Sequence, residues 1–235
     1  MNNQELDKSG VGQMFDSIAW RYDFLNHFLT LGIDNIWRKK AVKMISDRKD
    51  PVFLDVAAGT GDLTVELYKQ KHPSRIVGVD ISDGMLAVGR EKMKKLGLDK
   101  IVTLENQNCE NLTLESDQFD AVTVGFGIRN FQNPSKGLSE MYRVLKPGGE
   151  LIVLEFSRPR CKVMTFLFDL YFCYILPFIG RLFSKHSSAY TYLPESVKSF
   201  PHGKEFAAMM EKEGFTSVIF KRVTFGIATI YKGVK

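Results

Sequence analysis

The most constraining stretch of this chain is short. An apolar run from Val52 to Ala57 leads into a turn carrying Gly59 and Gly61, and a helical pattern follows from Leu63 to Tyr68. Ile76 to Val79 then reads as a second strand ending in Asp80. Strand, glycine turn, helix and strand in that order make a unit whose turn lets a ligand come close to the backbone at a helix N-terminus, where unpaired N–H groups point outward. An acid at the end of the second strand is well placed to hold the hydroxyls of a ribose. Gly59, Thr60 and Gly61 are thus the expected cofactor turn, and Asp80 the expected ribose ligand.

The alternation continues. A helix is expected over Asp83 to Leu96, strands over Ile101 to Leu104 and Phe119 to Val124, and a helix from Pro134 to Leu145. Pro147-Gly148-Gly149 should end that helix and lead into a strand from Glu150 to Phe156. A last helix from His202 to Glu213 precedes two strand-like stretches, Ser217 to Val223 and Ile227 to Tyr231, close enough to form an antiparallel hairpin. The pattern predicts an α/β fold with a mostly parallel sheet and helices on both faces. With 235 residues, 44% of them apolar, one domain suffices. It divides into a helical N-terminal region (11–46), a cofactor-binding core (51–157), a helical cap or substrate insertion (158–205) and a C-terminal helix with its hairpin (206–235).

Residues 161–183 break the rhythm with Phe166, Phe168, Tyr171, Phe172 and other large apolar side chains. Asp169, Pro177 and Arg181 interrupt the stretch, leaving it short of the ~20 apolar residues a spanning helix needs. A buried or capping helix is expected there. The net charge of +5 comes from 32 basic and 27 acidic residues spread along the chain, which implies no nucleic-acid partner. Three cysteines, Cys109, Cys161 and Cys173, form no CxxC pair, so no metal site is expected and a reduced, cytoplasmic protein is. The opening Met1-Asn2-Asn3-Gln4-Glu5 lacks the order of a secretory signal.

Two features narrow the cofactor. A dinucleotide turn wants a small third residue three places after its second glycine, and Thr64 stands there. Asp55, at the start of the turn, would repel a pyrophosphate but suits the ammonium and sulfonium of S-adenosylmethionine. Asn108-Cys109, after the third strand, offers an amide and a backbone N–H to the adenine.

These pieces resemble class I methyltransferases over residues 51–157, with Phe119-Asp120-Ala121-Val122 and Leu145-Lys146-Pro147-Gly148-Gly149 as further signatures. That fold implies a seven-stranded, Rossmann-like sheet. Longer stretches resemble the ubiquinone and menaquinone biosynthesis C-methyltransferases, the UbiE/MenG family. They are Tyr22-Asp23-Phe24-Leu25-Asn26 through Leu31-Gly32 to Trp37-Arg38, Phe126-Gly127-Ile128-Arg129-Asn130, Arg143 to Gly149 running into Leu154-Glu155-Phe156-Ser157, Tyr190 to Ser196, and Gly226-Ile227-Ala228. The chain departs from the pattern at Ala57, where a glycine is usual, at Asp34-Asn35, and at Gly125, where some relatives have a serine.

The resemblance implies cofactor contacts at Thr60, Asp80, Asn108 and Cys109. It also implies C-methylation of a prenylated quinol, a demethylmenaquinol or, as the alternative, a methoxy-benzoquinol precursor of ubiquinone. A ring carbon becomes nucleophilic when a neighbouring hydroxyl is deprotonated, so Arg129 would stabilise the phenolate, Asn130 orient the ring, and Tyr22 or Asp23 relay the proton. Tyr190 and Tyr192 would line the ring pocket. Such a substrate makes transient contact with a membrane surface sensible, and a homo-oligomer is allowed. The rival readings are a nucleic-acid methyltransferase, whose Asn/Asp-Pro-Pro-aromatic motif is missing after the fourth strand, and a non-catalytic binding protein.

Overall fold

A computed structural model describes residues 10–16, 19, 30, 32–171 and 188–235. Five strands run parallel: β1 (Val52–Val56), β2 (Arg75–Asp80), β3 (Val102–Asn106), β4 (Phe119–Gly125) and β5 (Leu145–Phe156). β6 (Thr216–Val223) and β7 (Ala228–Val234) close the sheet, with β7 antiparallel to both β5 and β6. The order across the sheet is β3-β2-β1-β4-β5-β7-β6. It reverses between β1 and β4, so a crevice opens at the carboxyl ends of these two strands. This is the class I methyltransferase architecture.

Strand residues alternate between two cores because side chains along a strand point to opposite faces. Leu54, Val56, Val122 and Val124 pack with Met141 of α4 (Pro134–Val144) and Phe206 of α7 (Lys204–Lys212). Phe53, Ala121 and Ile152 face the other way, onto Trp37 of α1 (Ile33–Val42), Leu67 of α2 (Asp62–Lys71) and Leu86 of α3 (Asp83–Lys95). Side-chain caps start two of the described helices: Ser82 Oγ accepts from Met85 N–H at 3.2 Å, and Asn133 Oδ1 from Lys136 N–H at 3.1 Å, with Pro134 following. The remaining helices are α5 (Lys162–Leu170) and α6 (Ser188–Ser199). Among the described residues no helix is long and apolar enough to cross a membrane.

One expectation is corrected. Pro147-Gly148-Gly149 does not separate α4 from its strand, because α4 ends at Val144 and β5 begins at Leu145. The three residues form an irregularity inside the strand, where the β4–β5 register shifts between Phe119 and Ala121. Gly148 takes φ 74°, and the chain end pairs there through Gly148 N–H to Lys235 O and Lys235 N–H to Gly149 O, both at 3.0 Å. The aromatic stretch is described as far as residue 171, where α5 accounts for its first part; residues 172–183 lie outside the described residues.

Candidate active site

The crevice at the switch point holds a cleft enclosing about 890 Å³, part of it open solvent. Its floor is the turn after β1. Ala57 and Gly59 both take left-handed backbone conformations, at φ 53° and 56°, which bend the chain sharply away from the strand. The turn is tied to the end of β2, where Asp80 Oδ2 accepts from Gly59 N–H at 2.8 Å and Asp80 Oδ1 from Ser82 N–H at 2.9 Å. Burial pushes the Asp80 carboxyl upward, and those backbone N–H groups pull it back.

Gly59, Asp80, Asn108 and Cys109 all line this cleft. The Cys109 thiol is pushed up to about 12, chiefly by burial, and so stays a neutral wall group with no nucleophilic role. Thr60 and Asp55 line a narrower arm beside the main cleft. Gly61 lines neither; at φ 82° it starts α2, and a Cβ there would strike the end of Met93. Its glycine serves helix packing.

Asp55 is almost wholly enclosed. Thr64 Oγ1 donates to its Oδ2 at 2.6 Å and Thr123 Oγ1 to its Oδ1 at 2.8 Å. Burial outweighs these bonds and pushes its carboxyl up to about 6. Thr64, whose size spoke against a dinucleotide turn, thus also anchors this carboxyl group.

The opposite wall grows from the end of β4. Phe126 adopts φ 59° and packs between Phe156, at 4.6 Å between ring centroids, and Trp37, at 6.1 Å. A 3-10 turn, Ile128–Asn130, follows and sends its two polar side chains to different places. Asn130 lines the cleft, and its Oδ1 accepts from the Tyr192 hydroxyl at 3.2 Å. Arg129 is not among the lining residues. It is 5% exposed, donating from Nη1 to Glu155 Oε1 at 2.8 Å and to the Phe126 carbonyl, with its guanidinium carbon 5.4 Å from the Phe156 ring centre. Its buried Nε has no hydrogen-bond partner among the described residues. Burial raises the Tyr192 hydroxyl above its ordinary range, while Arg129 pulls it down and Glu155 pushes it up, so the three groups share one electrostatic neighbourhood. Tyr22, Asp23 and the Tyr190 side chain lie outside the described residues.

Several cleft residues had no clear mark in the sequence. Val11, Gly12 and Phe15 of the helical segment 11–16 roof the cleft beside Met85 of α3. That segment is latched by Asp16 Oδ1, which accepts from Ser82 Oγ at 2.5 Å and Gly84 N–H at 2.9 Å. Phe15 falls in the expected helical N-terminal region; nothing in the sequence pointed Asp16 at a helix start 66 residues on. Glu155, inside the strand expected from Glu150 to Phe156, carries the ion pair to Arg129, which no local pattern in the sequence marked.

The cleft tests cofactors by charge. Its lining carries Asp80 and Glu110 and, among the described residues, no lysine or arginine. A pyrophosphate would face two carboxylates without a compensating cation. A nucleoside with a cationic sulfonium fits, since Asp80 can accept from ribose hydroxyls and the remaining wall is apolar or amide.

Comparison with known proteins gives the same direction. Residues 2–235 match the model of the ubiE/COQ5 methyltransferase family. The chain is 46% identical over 234 residues to a demethylmenaquinone methyltransferase of Bacteroides fragilis, covering 100% of this chain and 96% of the relative. It is 49% identical over 226 residues to a ubiquinone/menaquinone biosynthesis C-methyltransferase UbiE of Geobacter sulfurreducens, covering 96% and 88%. Among solved structures, a SAM-dependent methyltransferase of Thermotoga maritima, described as a possible histamine N-methyltransferase, superposes with a TM-score of 0.65 at 21% identity over 95% of this chain and 99% of its own; at that identity it speaks for the fold alone.

Proposed function

The chain belongs to the ubiE/COQ5 methyltransferase family and uses S-adenosylmethionine as methyl donor, and from that premise we propose that it C-methylates a prenylated quinol, converting a demethylmenaquinol to a menaquinol. The observation that carries this reading is the pairing of two unlike walls on one crevice. One is a glycine turn with Asp80; the other is the Asn130 amide, held from behind by the Tyr192 hydroxyl, which does not itself line the cleft, and set near the Phe126 and Phe156 rings.

When bound, the sulfonium supplies an electrophilic methyl group; the rest falls to the protein. Asp80 and Gly59 fix the ribose, and Asn108 and Cys109 border the adenine. Asn130, held by Tyr192, hydrogen-bonds a quinol hydroxyl and so presents the neighbouring ring carbon in line with the methyl. That hydroxyl must lose its proton for the carbon to attack. Arg129 favours the resulting phenolate through the low-dielectric wall behind Asn130, its own position fixed by Glu155. Tyr190 completes the ring pocket, and Tyr22 or Asp23 passes the proton to solvent. After transfer, which would release S-adenosylhomocysteine, the ring proton leaves to restore aromaticity and the phenolate oxygen takes back one proton, giving the methylated quinol with a net release of one proton.

Contact with a lipid surface belongs to the same proposal. Val163, Phe166 and Leu170 are exposed on α5 at spacings that put them on one helix face. Flotation with anionic vesicles is expected to carry part of the protein upward, and complete absence from the vesicle fraction at low salt would remove this contact. The decisive assay incubates purified protein with methyl-labelled S-adenosylmethionine and either reduced demethylmenaquinone or a methoxy-benzoquinol, followed by mass spectrometry. A gain of one methyl on the naphthoquinol is expected. Gain on the benzoquinol alone would redirect the substrate, and gain on neither would refute the reading.

A further inference from the structure

The narrower arm is a second cavity adjoining the main cleft, and the two share Ala57, Gly59, Gly125 and Phe126 in their linings. The arm adds Arg38, Asp55, Thr60 and Asp62 to the lining. Arg38 is the only lysine or arginine among the described residues that line either arm, and its side chain is 8% exposed. A buried guanidinium at the end of a ligand cleft calls for an anionic partner.

Its present partners hold it unequally. Nη1 donates to Asp34 Oδ2 at 2.5 Å, and the other Asp34 oxygen is fixed by the Thr30 hydroxyl at 2.7 Å. Nη2 stands 3.5 Å from Asp62 Oδ2, longer than a charge-assisted hydrogen bond, which lies near 2.7–2.9 Å. Asp62 has a better cation in Lys92, whose Nζ donates to Oδ1 at 2.7 Å. One edge of the guanidinium is therefore anchored while the other is loosely engaged. Phe126, 5.9 Å from the guanidinium carbon, flanks it.

We infer that Arg38 binds the carboxylate at the methionine end of the cofactor and that Asp34 positions it for this. The inference rests on the proposed use of S-adenosylmethionine. The order of groups along the crevice matches the order along that molecule. Asp80 stands at the ribose end, the junction at Ala57 and Gly125 lies where the sulfonium passes, and the narrow arm receives the amino acid. There Nη2 exchanges its long contact with Asp62 for a short bond to the incoming carboxylate, and Lys92 keeps Asp62 paired. The ammonium faces the buried Asp55 carboxyl in the same arm. Asp34 is one of the positions where this chain departs from the pattern of the family it resembles. With both of its oxygens committed, it holds Arg38 without competing for the ligand.

Calorimetry with S-adenosylmethionine and with its decarboxylated form, which lacks only the carboxylate, tests this without any acceptor present. Arg38→Ala is expected to weaken S-adenosylmethionine ~10- to 100-fold while changing the decarboxylated form by less than about twofold. Asp34→Asn should give the same selective loss at a smaller size, about three- to tenfold. Equal losses for both ligands would make Arg38 a packing residue and overturn the assignment, as would no loss for either. Should Arg38→Ala fail to fold, Arg38→Lys carries the test, since a point charge cannot reproduce the two-edged grip. A selective loss in that variant supports the clamp, and wild-type discrimination overturns it. Wild-type protein that binds neither ligand overturns the cofactor reading and this inference with it.

Discussion

Each wall of the cleft rests on a buried carboxylate, and the two are accommodated in opposite ways. Under the glycine turn, Asp55 has, among the described residues, only the hydroxyls of Thr64 and Thr123 as direct partners, and burial pushes its carboxyl up to about 6. Under the opposite wall, Glu155 is bonded to the Arg129 guanidinium and to Phe156 N–H, each at 2.8 Å. Among the described residues the first site has no counter-charge in direct contact, and on the proposed function a cationic ligand would complete it. The second carries its own counter-charge, although the buried Arg129 Nε has no hydrogen-bond partner among the described residues, and it shares one electrostatic neighbourhood with Tyr192. The first wall is thus left electrostatically unfinished among the described residues, while the second holds its own ion pair.

The sharpest way to break that contrast is to open the ion pair. Glu155→Gln leaves the Arg129 cation buried without its counter-charge, and removing one partner of such a pair costs about 3–5 kcal/mol. Urea unfolding is expected to record that loss, with methyl transfer falling alongside. The double variant Arg129→Met with Glu155→Leu replaces both charges by apolar groups and should recover most of the stability while transfer stays lost. Recovery of both would make the pair mere packing. An Asp55→Asn variant that lost as much stability as Glu155→Gln would erase the contrast altogether.

The two walls also differ in how plainly the sequence announced them. The glycine turn, Asp80 and the succession of strands and helices along the chain follow from local rules: an apolar run, two glycines, and an acid at the end of the next strand. These rules depend on backbone and on near neighbours, so they survive translation into three dimensions. The Arg129–Glu155 pair spans 26 residues between the ends of adjacent strands, and no spacing rule predicts it. Asp34 stood out in the sequence only as a departure from the family pattern; its ion pair with Arg38 four residues on, and their place beside the second cavity, depend on how α1 crosses the sheet. Pro147-Gly148-Gly149 misled because proline and glycine read as a helix stop, and only the pairing of Leu145 with Phe119 reveals that the strand had already begun.

Where the walls touch, packing is tight. A Cβ on Gly127 would overlap the Cβ of Ala57. Gly127→Ala is therefore expected to cost about 2 kcal/mol in urea unfolding, as overpacked sites do. The cost should shrink when Ala57→Gly is introduced in the same chain. Additive effects of the two changes would mean that the walls do not meet there.

The unfinished wall predicts a pH signature. A carboxyl that titrates near 3.8 when unfolded and about 6 when folded holds its proton more tightly in the native state. The native state then binds more protons between these values, and Asp55's contribution to stability falls as pH rises through that window. The full shift corresponds to roughly 3 kcal/mol. Asp55→Asn should flatten this part of the profile. Since an amide cannot accept from both threonines, the net gain at pH 8 is expected at about 1–2 kcal/mol. S-adenosylmethionine should bind more weakly to the same variant. Stability gained with affinity unchanged would show that Asp55 does not serve the cationic ligand.

The smallest effect isolates backbone strain from charge on that same wall. Ala57 stands where the resembled family has glycine, and it adopts φ 53°, a region that costs a side-chain-bearing residue about 1–2 kcal/mol. Ala57→Gly relieves that strain but frees the unfolded chain, which returns part of the gain. The expected balance is a stabilisation of about 0.5 kcal/mol in thermal or urea unfolding, with S-adenosylmethionine affinity unchanged within about twofold. A clear loss of affinity would mean that the Ala57 methyl group itself shapes the junction between the two arms, and the turn would then owe its selectivity to side-chain bulk as well as to backbone path.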